Sequence, residues 1–278
     1  MTNNLEIIAL VEERSEIAEL KTEHGLSFLL KVGGEQWLFD TGQTGIVVEN
    51  ARKLGVTLSD IEGIILSHGH YDHSGGLRAV LGESGAKKIY AHPGIFRRRY
   101  NLKKERKFRS IGFPDRKAVI EKKGGEFDFS RDRRQISFRI CLSGEIPHQT
   151  DFEKGEPDLV IREKMKYMPD PFIDEQYLVV ESDDGLIMIN GCCHSGLINS
   201  LRHLRLYRPQ EKIRAIIGGL HLRSADSATL DKVMDALKEF EPESVIAGHC
   251  TGEAAETRLA REFGSRFKRL KAGVKYEE

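Results

Sequence analysis

The stretch Leu66-Ser67-His68-Gly69-His70-Tyr71-Asp72-His73-Ser74-Gly75-Gly76 decides how the rest of this sequence is read. Three histidines and an aspartate fall within six positions, directly after the short apolar run Gly63–Ser67. In a loop leaving a strand, alternate side chains can converge on one point, so His68 and His70 can grip one cation. Asp72 and His73 then point to a neighbouring position. Neutral imidazole and carboxylate suit borderline divalent ions such as zinc, iron or manganese. Glycines at 69, 75 and 76 let the backbone turn tightly around the ions.

Outward from this motif the chain alternates β-type and α-type segments. Leu5–Val11 is a short apolar run, and Leu26–Val32 followed by Gln36–Thr41 reads as a hairpin around Gly33-Gly34. Gly45–Leu54 has helical spacing, and Gly63–Ser67 and Lys87–Ala91 are short strands. Tyr177–Glu181 and Leu186–Asn190 form a second hairpin. The last third expects helices at Gly196–Tyr207, Ser227–Phe240 and Glu253–Phe263, strands at Ile213–Ile217 and Ser244–Ala247, and a final edge strand at Phe267–Lys271. Alternating strands and helices in both halves, with hairpins between, predict an α/β fold of mixed sheets covered by helices.

The chain has 278 residues, 43 basic and 43 acidic, so its formal net charge is zero. That balance argues against a protein built to wrap polyanions. Charge is nevertheless segregated. Residues 94–140 carry sixteen lysines and arginines against six acids, and residues 151–184 carry eleven acids against four bases. The basic stretch is expected to be an insert that caps the site and favours anionic small-molecule substrates. Arg97-Arg98-Arg99 and Lys103-Lys104, with aromatics nearby, offer a single-stranded nucleic-acid surface. Overall neutrality and the lack of an appended RNA-binding domain make nucleic acid an unlikely partner. No apolar run approaches the roughly 18–20 residues that cross a bilayer, so no membrane partner is expected. The opening MTNNLEIIALVEERSE does not resemble a secretory signal, and a cytoplasmic location is expected. Cys141, Cys192, Cys193 and Cys250 are expected to be reduced. The sequence leaves the oligomeric state open.

His68-Gly69-His70-Tyr71-Asp72-His73 resembles the HxHxDH signature of the metallo-β-lactamase superfamily. Leu38-Phe39-Asp40-Thr41-Gly42 is similar to that family's DTG turn. Asn190-Gly191-Cys192-Cys193-His194-Ser195-Gly196, Gly218-Gly219-Leu220-His221-Leu222 and Ala247-Gly248-His249-Cys250-Thr251-Gly252 extend the likeness over nearly the whole chain. Together they resemble the subgroup of dihydropterin-ribofuranosylaminobenzene-phosphate-synthase-like metal-dependent hydrolases. His194 and His249 each follow an apolar strand and precede a helix, where ligands from several strand ends meet on one rim.

The resemblance implies a single domain over residues 1–278, a four-layer αββα sandwich of two mixed β-sheets flanked by helices. It implies two divalent metal ions, zinc ahead of iron or manganese. One ion would take His68, His70 and His194; the other would take Asp72, His73 and His249. The bridging acid usual in two-metal members is missing, because the strand Ile213–Ile217 runs into Gly218-Gly219-Leu220-His221. His221 is therefore open to three readings: metal ligand, substrate-facing group or structural residue. Cys192 and His148 are outside candidates, while His24, His92 and His203 lack neighbouring ligand types. The expected activity is metal-dependent hydrolysis of a phosphoester, lactone or related small molecule, with Asp72 and His221 as catalytic candidates. Alternatives are pterin-precursor synthesis, a metal-stabilised binding protein without turnover, and iron-based redox chemistry.

Overall fold

A computed structural model describes residues 5–102 and 108–278. Two seven-stranded sheets face each other. The first runs in the order Lys275–Glu277, Leu5–Val11, Ser27–Val32, Glu35–Phe39, Gly63–Ile65, Lys87–Ala91 and Gly125–Phe129. The second runs Phe267–Arg269, Ser244–Gly248, Ile213–Gly219, Gly185–Asn190, Leu178–Ser182, Ile140–Leu142 and Arg134–Ser137. Both are mixed. In the first, the strands from Glu35–Phe39 to Gly125–Phe129 are parallel, and in the second those from Gly185–Asn190 to Phe267–Arg269 are parallel.

Local sequence accounts for these elements. The hairpin between Ser27–Val32 and Glu35–Phe39 turns on Gly33 and Gly34, whose φ values of 61° and 90° are those of a tight turn that matches strand twist. The parallel strands Leu186–Asn190 and Ala215–Gly219 are buried without a break, as expected where both faces are covered. The helix Ser227–Glu239 buries Leu230, Val233, Met234 and Leu237, one stripe at helical spacing. Asp226 caps it by accepting from Thr229 N–H at 2.8 Å. Each buried side chain of that stripe contributes roughly 1.5–3 kcal/mol and the cap about 1 kcal/mol, so the apolar face holds this helix in place.

Three apolar cores give the layer order. Phe28, Leu30, Phe39, Ile187, Ile189 and Ile217 interlock between the sheets. The helices Ile46–Lys53, Leu77–Ser84 and Lys117–Lys122 cover the outer face of the first sheet. Leu197–Tyr207, Ser227–Glu239 and Glu253–Phe263 cover the outer face of the second. This is the αββα sandwich the resemblance implies.

The basic stretch 94–140 is not one unit. Arg99–Leu102 and Phe108–Ser110 pair with Leu159–Glu163 and Lys166–Pro169 in a third, four-stranded sheet. Gly125–Phe129 completes the first sheet, while Arg134–Ser137 and Ile140–Leu142 complete the second. Its segments are thus shared among all three sheets. Charge segregated along the chain does not mark a unit when its segments pair with different distant strands. Arg99 is also no surface cation. It is buried, bonding Asp170 at 2.6 Å and also Asp174. Lys103 and Lys104 lie outside the described residues.

Candidate metal centre

Parallel strands of both sheets end on the same rim. Asp40 follows Glu35–Phe39, the histidine motif follows Gly63–Ile65, Cys192 and His194 follow Gly185–Asn190, His221 follows Ile213–Gly219, and His249 follows Ser244–Gly248. His70 is extended, while Asp72 and His73 sit in a short helical turn, Tyr71–Ser74. Gly69 and Gly75 are required by close approach, not by turning as expected. A Cβ at Gly69 would meet the Ile95 carbonyl at 1.9 Å, and one at Gly75 would meet that of Gln43 at 2.1 Å.

The six sequence-identified donors converge as two triads. His70 Nδ1 lies 3.0 Å from His68 Nε2 and 3.1 Å from His194 Nε2. In the other triad, His73 Nε2 and His249 Nε2 are 3.3 Å apart, and Asp72 Oδ2 is 3.8 Å from the former and 3.5 Å from the latter. All six residues are buried. Donors about 2.0–2.1 Å from a tetrahedral ion are separated by edges of about 3.3 Å, so both triads fit one.

Buried carboxylates pin every turn that carries a donor. Asp40 accepts from Ser67 N–H at 2.8 Å, Ser67 Oγ at 2.7 Å and His73 Nδ1 at 2.7 Å. Because an ionised carboxylate only accepts, the Ser67 hydroxyl points its proton at Asp40 and receives one from His68 Nδ1, 2.8 Å away. Both imidazoles thereby carry a proton on Nδ1 and turn Nε2 to the centre. Asp174 receives Gly69 N–H at 2.9 Å, Glu175 receives His194 N–H at 2.5 Å, and Glu12 receives His249 N–H at 2.7 Å. Asp40, Cys193, His221 and His249 all have positive φ, as does Phe172, whose ring stacks on His194 at 4.2 Å. Such backbone conformations cost of order 1–3 kcal/mol each and cluster at functional sites.

The electrostatics suit a cation. Burial, reinforced by neighbouring positive groups, holds His68, His70 and His194 well below the usual histidine range, so they are neutral. Burial opposes the charge on Asp72, yet His73, His24 and His249 together hold its carboxyl well below the usual range. Where two facing imidazole nitrogens are both bare they repel, and a cation placed between them relieves this. The remaining ring nitrogens His70 Nε2 and His249 Nδ1, together with His221 Nδ1, are buried without a hydrogen-bond partner among the described residues. This donor set fits divalent metal ions.

His221 lies beside the first triad, its Nε2 3.2 Å from His194 Nδ1 and 3.3 Å from Glu156. Burial opposes its protonation, but Cys250 and Glu156 outweigh that and raise it to about 10. Cys192 is buried within the centre, whereas His148 is exposed. The sequence reading missed His24. Its Nε2 is 3.1 Å from Asp72, its Nδ1 is 2.5 Å from Glu13, and its ring stacks on His249 at 5.0 Å. Hydrogen bonds to Asp72 and Glu13 raise it to about 10. No local signal could reveal it, since both its partners and the motif are remote in sequence. His92 and His203 are structural: His92 receives Gly94 N–H, and His203 bonds Tyr177.

A cleft of about 380 Å³ opens onto both triads, its outer wall including Asn101, Arg109, Ile111 and Leu159. Arg109 donates to the Tyr71 hydroxyl at 2.9 Å and lies 5.1 Å from its ring centre. Arg223, also on the wall, is paired with Glu13.

Facing mixed sheets under helices, with a histidine and aspartate rim at the strand ends, define a class: the chain belongs to the metallo-β-lactamase superfamily, whose pattern residues 20–155 match. It is 33% identical, over 98% of its length and 96% of the relative's, to the 7,8-dihydropterin-6-methyl-4-(beta-D-ribofuranosyl)-aminobenzene-5'-phosphate synthase of Methanocaldococcus jannaschii. A solved metal-dependent hydrolase of the beta-lactamase superfamily is 29% identical, with a TM-score of 0.85 and 99% of each chain covered. The Zn(2+)-bound PqqB of Methylobacterium extorquens shares the fold at 10% identity, with a TM-score of 0.59 over 98% of this chain and 99% of that one. Membership implies divalent metal binding. Among the described residues no helix is long and apolar enough to cross a membrane.

Proposed function

We propose that the chain is a metal-dependent hydrolase that holds two divalent ions, zinc by preference, and cleaves a small anionic substrate such as a phosphoester or a lactone. His68, His70 and His194 hold one ion, and Asp72, His73 and His249 hold the other. The observation that carries this reading is the meeting of two triads with tetrahedral edges at the floor of one cleft. When bound, such a pair of ions lowers the pKa of a water molecule and polarises the bond under attack.

The chain's own residues supply the rest. Asp72, held ionised, orients the attacking water, and His24 bridges it to Glu13, setting a proton-carrying pair at the cleft wall. His221, steadied by Glu156 at Nε2, holds a proton on the opposite side of the first triad and faces the leaving group. Arg109 gives the cleft mouth positive charge that favours an anion.

A second reading is favoured by the full-length likeness to the Methanocaldococcus synthase: coupling of a pterin to a ribofuranosylaminobenzene phosphate at the same centre. Elemental analysis, followed by parallel assays of phosphodiesters, lactones, thioesters and pterin coupling, separates the two. Two zinc equivalents with hydrolytic turnover are expected, with turnover and one of the two zinc equivalents lost in His68→Ala. Fewer than two equivalents in zinc-supplemented protein would refute the dinuclear reading.

A further inference from the structure

The two triads account for six donors, yet one more buried side chain lies among them. Cys192 Sγ is 3.1 Å from His73 Nε2 and 3.3 Å from His249 Nε2. Sγ and the donor atoms of Asp72, His73 and His249 all lie within 4.8 Å of one another, and the same sulfur forms a second such group with His68 and His194. It is therefore the atom that joins the whole of the second triad to His68 and His194 of the first.

The surrounding chain puts it there. A Cβ at Gly191 would meet Ser67 Oγ at 2.2 Å, so the backbone before Cys192 lies directly against the histidine motif. Across the centre, the end of the strand Ile213–Gly219 leaves no room for a side chain. A Cβ at Gly218 would meet the Asn190 carbonyl at 2.1 Å, and one at Gly219 would meet the Gly191 carbonyl at 2.5 Å and Cys250 Sγ at 2.6 Å. No carboxylate can reach between the triads from that strand. Cys250 holds the Cys192 turn instead, its thiol donating to the Cys192 carbonyl at 3.2 Å.

Resting on the two-cation reading above, we propose that Cys192 Sγ is a shared ligand that bridges the two ions. Each sulfur–metal bond uses a sulfur lone pair, and the S–H proton is released to solvent through the cleft as the first bond forms. Cys192 would then add a fourth donor to His68, His70 and His194 for one ion and to Asp72, His73 and His249 for the other. A thiolate bridge favours zinc, cadmium and cobalt over magnesium or calcium, which prefer oxygen.

The test uses the intact protein loaded with zinc alone, counted by elemental analysis and examined by X-ray absorption at the zinc edge. With two zinc ions per chain, a bridging sulfur at about 2.3 Å gives about one sulfur neighbour per zinc. A terminal sulfur gives about half that, and an unligated one gives none. About one sulfur per zinc is expected; a half or none overturns the bridge while leaving the two-cation reading intact. Fewer than two zinc ions per chain overturns that reading, and the bridge with it. In cobalt-loaded protein the near-ultraviolet sulfur-to-cobalt absorption is expected to vanish in Cys192→Ser and persist in Cys250→Ser and Cys193→Ser. An absorption that vanishes in Cys250→Ser and persists in Cys192→Ser assigns the ligand to the wrong residue and overturns the proposal.

Discussion

Replacing Asp40 by asparagine tests the chain of hydrogen bonds that sets both triads. Asparagine keeps the size of the side chain and tolerates the φ of 59° at this position. What changes is the pattern of donors. The carboxylate receives three hydrogen bonds, from Ser67 N–H, Ser67 Oγ and His73 Nδ1. An amide offers one accepting oxygen and an NH2 group. With the oxygen kept on Ser67 N–H, the NH2 faces His73 Nδ1, donor against donor. His73 must then carry its proton on Nε2, the atom aimed at His249 and Cys192, and a protonated nitrogen cannot ligate. Loss of an orienting carboxylate typically weakens metal binding 10–100-fold, or about 1.4–2.7 kcal/mol. Because Asp40 also reaches His68 through Ser67, both sites are expected to weaken. The lost charge-assisted bonds cost about 1.5–3 kcal/mol of stability, small enough against a typical 5–15 kcal/mol for the protein to remain folded. Zinc affinity is read by competition with a chromophoric chelator, with circular dichroism in EDTA as the control for folding. A folded Asp40→Asn protein that binds both zinc ions with wild-type affinity would show that Asp40 does not set the imidazole tautomers.

Further perturbations report on other parts of the molecule. Zinc at a hundredfold excess over its dissociation constant is expected to add about 2.7 kcal/mol of stability for each independent site, seen as a higher unfolding temperature that EDTA reverses; no shift would argue against a native metal site. Arg99→Met leaves Asp170 and Asp174 buried without their cation and is expected to cost about 3–5 kcal/mol; a loss below about 1 kcal/mol in chemical denaturation would contradict the buried ion triad. Arg109→Ala is expected to raise KM about tenfold for an anionic substrate while sparing a neutral one, and equal effects on both would remove Arg109 from anion recognition.

The centre was legible in the sequence where its donors lie within a few residues of each other or directly after a strongly apolar strand. His68, His70, Asp72 and His73 meet the first condition, and His194 and His249 the second. The sandwich was legible for the same reason, since strands such as Leu186–Asn190 and helices such as Ser227–Glu239 have clean periods. The third sheet was not. Arg99–Leu102 and Lys166–Pro169 are short and carry no apolar alternation, the second being exposed throughout, and the pairing of Arg99–Leu102 with Leu159–Glu163 spans some sixty residues. Arg99 reads as part of a basic run because its partners Asp170 and Asp174 come from the acidic stretch far downstream. His24 was missed because its neighbours in sequence give no sign of Glu13 and Asp72 folding over it. The reason Gly69 and Gly75 are glycines was equally invisible, since it lies in the carbonyls of Ile95 and Gln43 pressing on them.

The two triads draw on both sheets, and this has a consequence for biogenesis. A nascent chain on the ribosome displays His68, His70, Asp72 and His73 long before Cys192, His194 and His249 are synthesised. During that interval the half-built cradle can hold a metal only loosely. The proposed ligand set is complete only when Ser244–Gly248 has slotted between Ile213–Gly219 and Phe267–Arg269, so on that proposal firm cation capture would wait for a fully threaded molecule.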